Sequence, residues 1–128
     1  MISELEDRWI LGIRGAVVVA VLRGSAPTGW VLTLSDGAEL ILDGPLHITE
    51  GPAAVASEEL PVLQLGELTG ATVVSAVAFK SGLVRVVFNT GHHLIIRGGD
   101  PGVKIEIRKP NDFYYSCLAG VGEMSVID

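Results

Sequence analysis

One pattern occurs twice in the 128-residue chain: WVLTLSDGAELILDGP at positions 30–45 and VRVVFNTGHHLIIRGG at positions 84–99. Each copy is two apolar runs joined by a short turn that ends in glycine, Ser35-Asp36-Gly37 in the first and Asn89-Thr90-Gly91 in the second. A turn this short cannot carry a crossover, so each copy is restricted to an antiparallel hairpin.

The register follows from the side chains. A two-residue loop at Asp36-Gly37 sets Leu34 against Glu39 and Thr33 against Leu40, which mixes polar and apolar residues on both faces. A three-residue loop with Gly37 in the left-handed conformation pairs Leu34 with Ala38, Leu32 with Leu40 and Trp30 with Leu42, and one face becomes wholly apolar. The same rule in the second copy pairs Phe88 with His92, Val86 with Leu94 and Val84 with Ile96, and turns Arg85, Val87, His93 and Ile95 outward.

The resemblance extends upstream, where Gly15-Ala16-Val17-Val18-Val19 matches Gly70-Ala71-Thr72-Val73-Val74, each preceded by a Leu-Gly pair (Leu11-Gly12, Leu65-Gly66). Two copies are too few for a solenoid, which stacks three or more units. The expected fold is all-β: two similar three-stranded meanders in pseudo-twofold arrangement plus C-terminal strands, forming a sandwich or a partly open barrel. The single domain divides into copies at 9–49 and 63–102 and a C-terminal extension at 103–128 with no counterpart in the first copy.

Between these landmarks the chain reads as follows. Ala16–Arg23 is so uniformly apolar that it belongs in a sheet centre or at a subunit interface. Leu46-His47-Ile48 is expected to form a short edge strand, and Ala53–Leu60, flanked by prolines, one or two helical turns. Val103–Arg108 alternates strictly, with Val103, Ile105 and Ile107 inward. Phe113–Leu118 and Glu123–Ile127 close a last hairpin around Gly120-Val121-Gly122.

Composition agrees with this: apolar residues are 48% of the chain and aromatics 5%, so the core is built from Val, Leu and Ile, which favour strands. The mean hydropathy is +0.48, yet the longest apolar run, Ala16–Leu22, is far shorter than the roughly 18 residues a spanning helix needs. The amino terminus lacks an apolar signal region, so the expected location is the cytoplasm. The net charge of −6 argues against nucleic-acid and anionic-membrane partners. Residues 1–64 hold nine acids and three bases, and 65–128 six of each. A charged partner is therefore expected to be basic and to meet the first half.

Nearly the whole chain resembles a family of small, mainly actinobacterial proteins known only as a domain of unknown function. The resemblance lies in Leu11-Gly12 with Gly15 before the first apolar strand, the Ser-Asp-Gly and Asn-Thr-Gly hairpins, and the ending Gly122-Glu123-Met124-Ser125-Val126. It implies no activity and no catalytic residue.

No motif assembles a catalytic constellation. His92 and His93 are adjacent on a strand and point to opposite faces, so they cannot easily share a metal; His47 could join either only if the fold brings it close. Cys117, in FYYSCLA, reads as a buried small hydrophobe. Glu58-Glu59 reads as a solvated pair, and the Gly98–Gly102 loop lacks the Lys-Ser or Lys-Thr of a phosphate loop. No cofactor and no metal is expected.

The remaining feature is apolar surplus. Val31, Ile41, Val87 and Ile95 lie on faces that should be solvated, and with Val18 of the apolar strand they are the candidate interface residues. The expectation is a non-enzymatic domain acting through protein contacts and self-associating as a homodimer or larger assembly. The alternatives are an immunity-type protein that neutralises a basic toxin, and a binder of small ligands in an apolar pocket between the meanders.

Overall fold

The computed structural model describes residues 2–24, 29–44, 46–50, 59–60, 62–98, 102–118 and 121–126. Both hairpins adopt the predicted register. In the first, strands β4 (Gly29–Leu34) and β5 (Glu39–Asp43) pair Trp30 with Leu42, Leu32 with Leu40 and Thr33 with Glu39. In the second, β9 (Leu83–Phe88) and β10 (His92–Arg97) pair Val86 with Leu94 and Val84 with Ile96. Gly37 donates its N–H to the Leu34 carbonyl, and Gly91 donates to Phe88, both at 3.0 Å. Their φ angles, 90° and 89°, lie in the region that L-residues avoid.

Each hairpin follows a bulged strand. β3 (Val18–Arg23) shifts register against β4 between Val18 and Ala20, and β8 (Val73–Phe79) shifts against β9 between Val73 and Ser75. The two bulged strands meet at an antiparallel bridge between Val17 and Thr72. Around it the hydrogen bonds come in reciprocal pairs. Val18 N–H donates to Ala71 O and Val73 N–H to Ala16 O, both at 2.8 Å; Gly15 N–H donates to Val73 O and Gly70 N–H to Val18 O, again at 2.8 Å. The turn residues complete the pattern, since Ser35 Oγ accepts from Val17 N–H and Asn89 Oδ1 from Thr72 N–H. One offset carries Gly15, Ala16, Val17 and Val18 onto Gly70, Ala71, Thr72 and Val73, and the bonds about the bridge are exchanged as a local twofold axis there requires.

Past the hairpins the two halves exchange strands. β6 (Leu46–Glu50), which follows the first hairpin, pairs with β10 of the second; β11 (Lys104–Lys109), which follows the second, pairs with β5 of the first. The departures at Gly44 and Gly98 are tight. A Cβ at Gly44 would lie 2.8 Å from the Gly102 carbonyl, and one at Gly98 would press on the Gly82 carbonyl and the Cys117 sulfur.

With β1 (Ser3–Glu4), β2 (Arg8–Ile10), β7 (Glu59–Leu60), β12 (Phe113–Leu118) and β13 (Val121–Val126), two antiparallel sheets result. The first has the order β1-β2-β8-β9-β10-β6-β7 and the second β13-β12-β11-β5-β4-β3; neither closes into a barrel. The inner rows of both sheets, such as Leu32-Leu40-Ile107 and Val86-Leu94-Ile48, form one continuous core. Trp9 of the first sheet meets Tyr115 of the second edge to face, with ring centroids 6.0 Å apart.

Several expectations are corrected. Of the two places expected for the apolar strand, a sheet centre or a subunit interface, the first is excluded, since β3 is the last strand of the second sheet. Leu46–Ile48 lies inside the first sheet, flanked by β10 and β7. The strand after the second hairpin does have a counterpart, since β11 and β6 hold equivalent places. The helical turns expected over Ala53–Leu60 fall mostly outside the described residues, and Glu59–Leu60 is strand. A 3₁₀ helix at Val62–Leu68 was not anticipated; it buries Leu65 and Leu68 against the core.

Candidate interaction surface

The outer faces of the two sheets carry the residues that sequence reasoning singled out. On the second sheet the central outer row runs Leu22-Val31-Ile41-Glu106 across β3, β4, β5 and β11. Its first half is uninterrupted aliphatic surface: Leu22 is 56% exposed, and Val31 and Ile41 are half-buried. Beside Ile41 lies a depression of about 280 Å³ whose wall includes Trp30, Asp43, Lys104 and Glu106, with Gly24 and Gly29 contributing no side chains. The Arg23 guanidinium lies 4.5 Å from the centroid of the Trp30 ring. Two charge pairs border the row, Arg108 with Glu39 at 3.1 Å and Lys104 with Glu106 at 3.6 Å. All four groups are partly solvated, so each pair contributes little to stability.

The equivalent row of the first sheet runs Val77-Arg85-Ile95-His47 across β8, β9, β10 and β6. It is built differently. Val77 and Ile95 are each only 5% exposed, because long side chains neighbour them: Arg85 and His47 in the row, and His93 and Arg97 along β10. Arg8 and Arg85 stand over the Phe79 ring at 4.6 and 5.7 Å, which shields further apolar surface.

Of the five candidate interface residues, two are therefore corrected. Val18 is 1% exposed in the core, because it precedes the bulge and faces the other sheet. Ile95 points outward as expected but is covered by its neighbours. Val31, Ile41 and Val87 are half-buried on outer faces.

The histidines do not converge. His92 Nδ1 and Thr90 Oγ1 are 2.7 Å apart beside the second turn. His93 pairs with Thr49 and His47 with Ile95, which makes His47 and His93 diagonal neighbours on the outer face of the first sheet. Burial, and then the positive charge of Arg85, hold the His93 pKa below its ordinary value, and its buried Nδ1 has no hydrogen-bond partner among the described residues. Among the described residues no group of three or more His, Cys, Asp or Glu side chains could hold a metal ion.

Cys117 and Tyr115 face the core from β12, so neither meets a histidine. The thiol is buried, with Sγ 4.0 Å from the Gly82 carbonyl. Burial first, and then the neighbouring thiol, raise the Tyr115 pKa above that of an ordinary phenol. The Lys109 ammonium donates to the Gly12 carbonyl at 2.8 Å and lies 3.5 and 3.4 Å from Asp36 and Asp112. It fastens the first turn to the C-terminal hairpin.

The sandwich, with its two like hairpins and exchanged strands, covers the region over which the chain matches a family of unknown function, DUF6188: residues 9–128. The chain belongs to that family. It matches no curated protein and no solved structure. No helix among the described residues is long and apolar enough to cross a membrane.

Proposed function

We propose that the protein is a non-enzymatic, cytoplasmic β domain that acts through protein contacts and associates with copies of itself. One observation carries this reading: the row Leu22-Val31-Ile41 leaves aliphatic surface in water at the place where the equivalent row of the other sheet is sheltered. Covering such a row recovers roughly 25 cal/mol for each Å² removed from water. Light scattering over a range of concentrations tests the proposal. The expected result is a mean mass above that of the monomer, reduced by Leu22→Asp; a monomeric mass at all concentrations overturns it.

A second reading has its own support. Glu39, Asp43 and Glu106 border the same row and its depression, which suits a basic protein partner such as a toxin neutralised by an immunity-type protein. Titration with a cationic protein separates the two, because a basic partner would bind the monomer and compete with self-association.

A further inference from the structure

We propose that copies of the chain join head to tail, the outer face of the second sheet in one copy lying on the outer face of the first sheet in the next. This rests on the reading of the protein as self-associating and specifies which surfaces meet.

The argument begins with charge. On the outer rows of β2, β8, β9, β10 and β6 the described side chains include Arg8, Arg85, Arg97, His47 and His93, and no carboxylate. Arg8 is held by the adjacent Asp7 at 2.8 Å. Arg85 and Arg97 form no ion pair with any described residue. In a chain of net charge −6, a cationic sheet face is a local reversal of sign. The outer face of the second sheet has the opposite balance, with Glu39, Asp43 and Glu106 against Lys104 and Arg108.

Shape and polarity point the same way. The second sheet offers the exposed Leu22 beside the half-buried Val31 and Ile41, whereas the first offers, beside the partly exposed Ile10 next to Val77, guanidinium groups over an aromatic ring, the kind of anchor that interfaces favour. Joining first sheet to first sheet would bring unpaired arginines together while removing their water. Joining second to second would bring together two faces that each carry three carboxylates against two cations. Only the mixed contact places Arg85 and Arg97 near acids and covers Leu22 with the side chains around Phe79.

The area limits the strength. Five strands about 4.8 Å apart, each presenting about 17 Å of length, span roughly 400 Å² in projection. Two such faces lie near the low end of specific interfaces, so the contact is weak, of micromolar order or above, and salt-sensitive. A contact between unlike faces also leaves one face of each kind free, so the assembly grows into rings or chains rather than stopping at two.

Two variants that block different faces test this. Ile41→Lys spoils the second-sheet face, and Arg85→Glu spoils the first; Arg97→Glu, at an exposed position, serves beside Arg85→Glu because Arg85 also covers Phe79. Sedimentation velocity should show each variant monomeric where the wild type associates, with dissociation constants raised about tenfold or more. An equimolar mixture of Ile41→Lys with either arginine variant should form a heterodimer of two chains, because one intact face of each kind remains. A mixture that stays monomeric while the wild type associates overturns the head-to-tail contact, as does a wild-type dimer that never grows or an association that both arginine variants leave unchanged. A wild type that is monomeric throughout overturns the self-association reading itself, so the two failures are distinguishable.

Discussion

The first hairpin, β4–β5, and the second, β9–β10, are alike on the inside and unlike on the outside. Their inner pairs match one for one, Leu32-Leu40 with Val86-Leu94 and Trp30-Leu42 with Val84-Ile96, and both turns close on a glycine at positive φ. Outside, Val31-Ile41 in one answers to Arg85-Ile95 in the other, and Leu22 to Val77. The inner rows must fill one close-packed core and cannot diverge without cost. The outer rows carry no such constraint, so whatever distinguishes the two halves in function lies there. The two halves are thus alike in register and inner packing and unlike in their outer rows.

The largest effects should test the inner equivalence. Leu40 and Leu94 are fully buried at matching places, so Leu40→Ala and Leu94→Ala should each cost about 2–5 kcal/mol and differ little from one another. Urea denaturation of both variants measures this; a cost confined to one of them would show that the two sides of the core are not equivalent.

Next come the turns. A Cβ at Gly37 or Gly91 meets nothing within 4 Å, so a substitution there is strained only through its backbone. Gly37→Ala and Gly91→Ala should each lower stability by about 1–2 kcal/mol. Thermal unfolding that registers neither change would mean the turns relax to another type.

A smaller pair sharpens the outer difference. Ile95→Ala should cost about 1–2 kcal/mol because its side chain is sheltered, and Ile41→Ala less than about 0.5 kcal/mol because its neighbours leave it half in water. Equal costs in denaturant titrations at monomeric concentrations would remove the contrast between the two faces.

The smallest effect is a pH dependence. Because the folded-state pKa of His93 lies below its ordinary value of 6.5, the unfolded chain binds the proton more readily. Stability should be complete above pH 6.5 and decline as the pH falls toward the folded-state pKa. His93→Gln should flatten that segment of the stability profile, and a variant profile parallel to the wild type would assign the slope to other groups.

Much of the candidate surface was legible in advance, but not its exposure. The outward direction of Val31, Ile41, Val87 and Ile95 follows from the hairpin register, which depends on residues a few positions apart. Whether each is covered depends on strands distant in sequence. Ile95 is sheltered in part because β6 brings His47 beside it and β9 brings Arg85. In the sequence Val18 groups with the surface residues because the run Ala16–Leu22 is apolar on both faces, which does not say which side chains meet the core; the structure places Val18, just before the bulge at Val18/Ala20, on the inner side. The 3₁₀ helix at Val62–Leu68 has no alternation to betray it, and its leucines find their burial only against the assembled core.

The amino-acid sequence alone determined the two hairpins, their three-residue turns, the glycines at positive φ and the strict alternation of Lys104–Arg108, because each depends on steric and hydrophobic preferences acting over a few residues. The tertiary structure alone decided the exchange of β6 and β11, the bridge of Val17 to Thr72 and the edge position of β3. Those features pair strands far apart in the chain, and period-two alternation states which face a residue occupies without saying which neighbour will lie beside it.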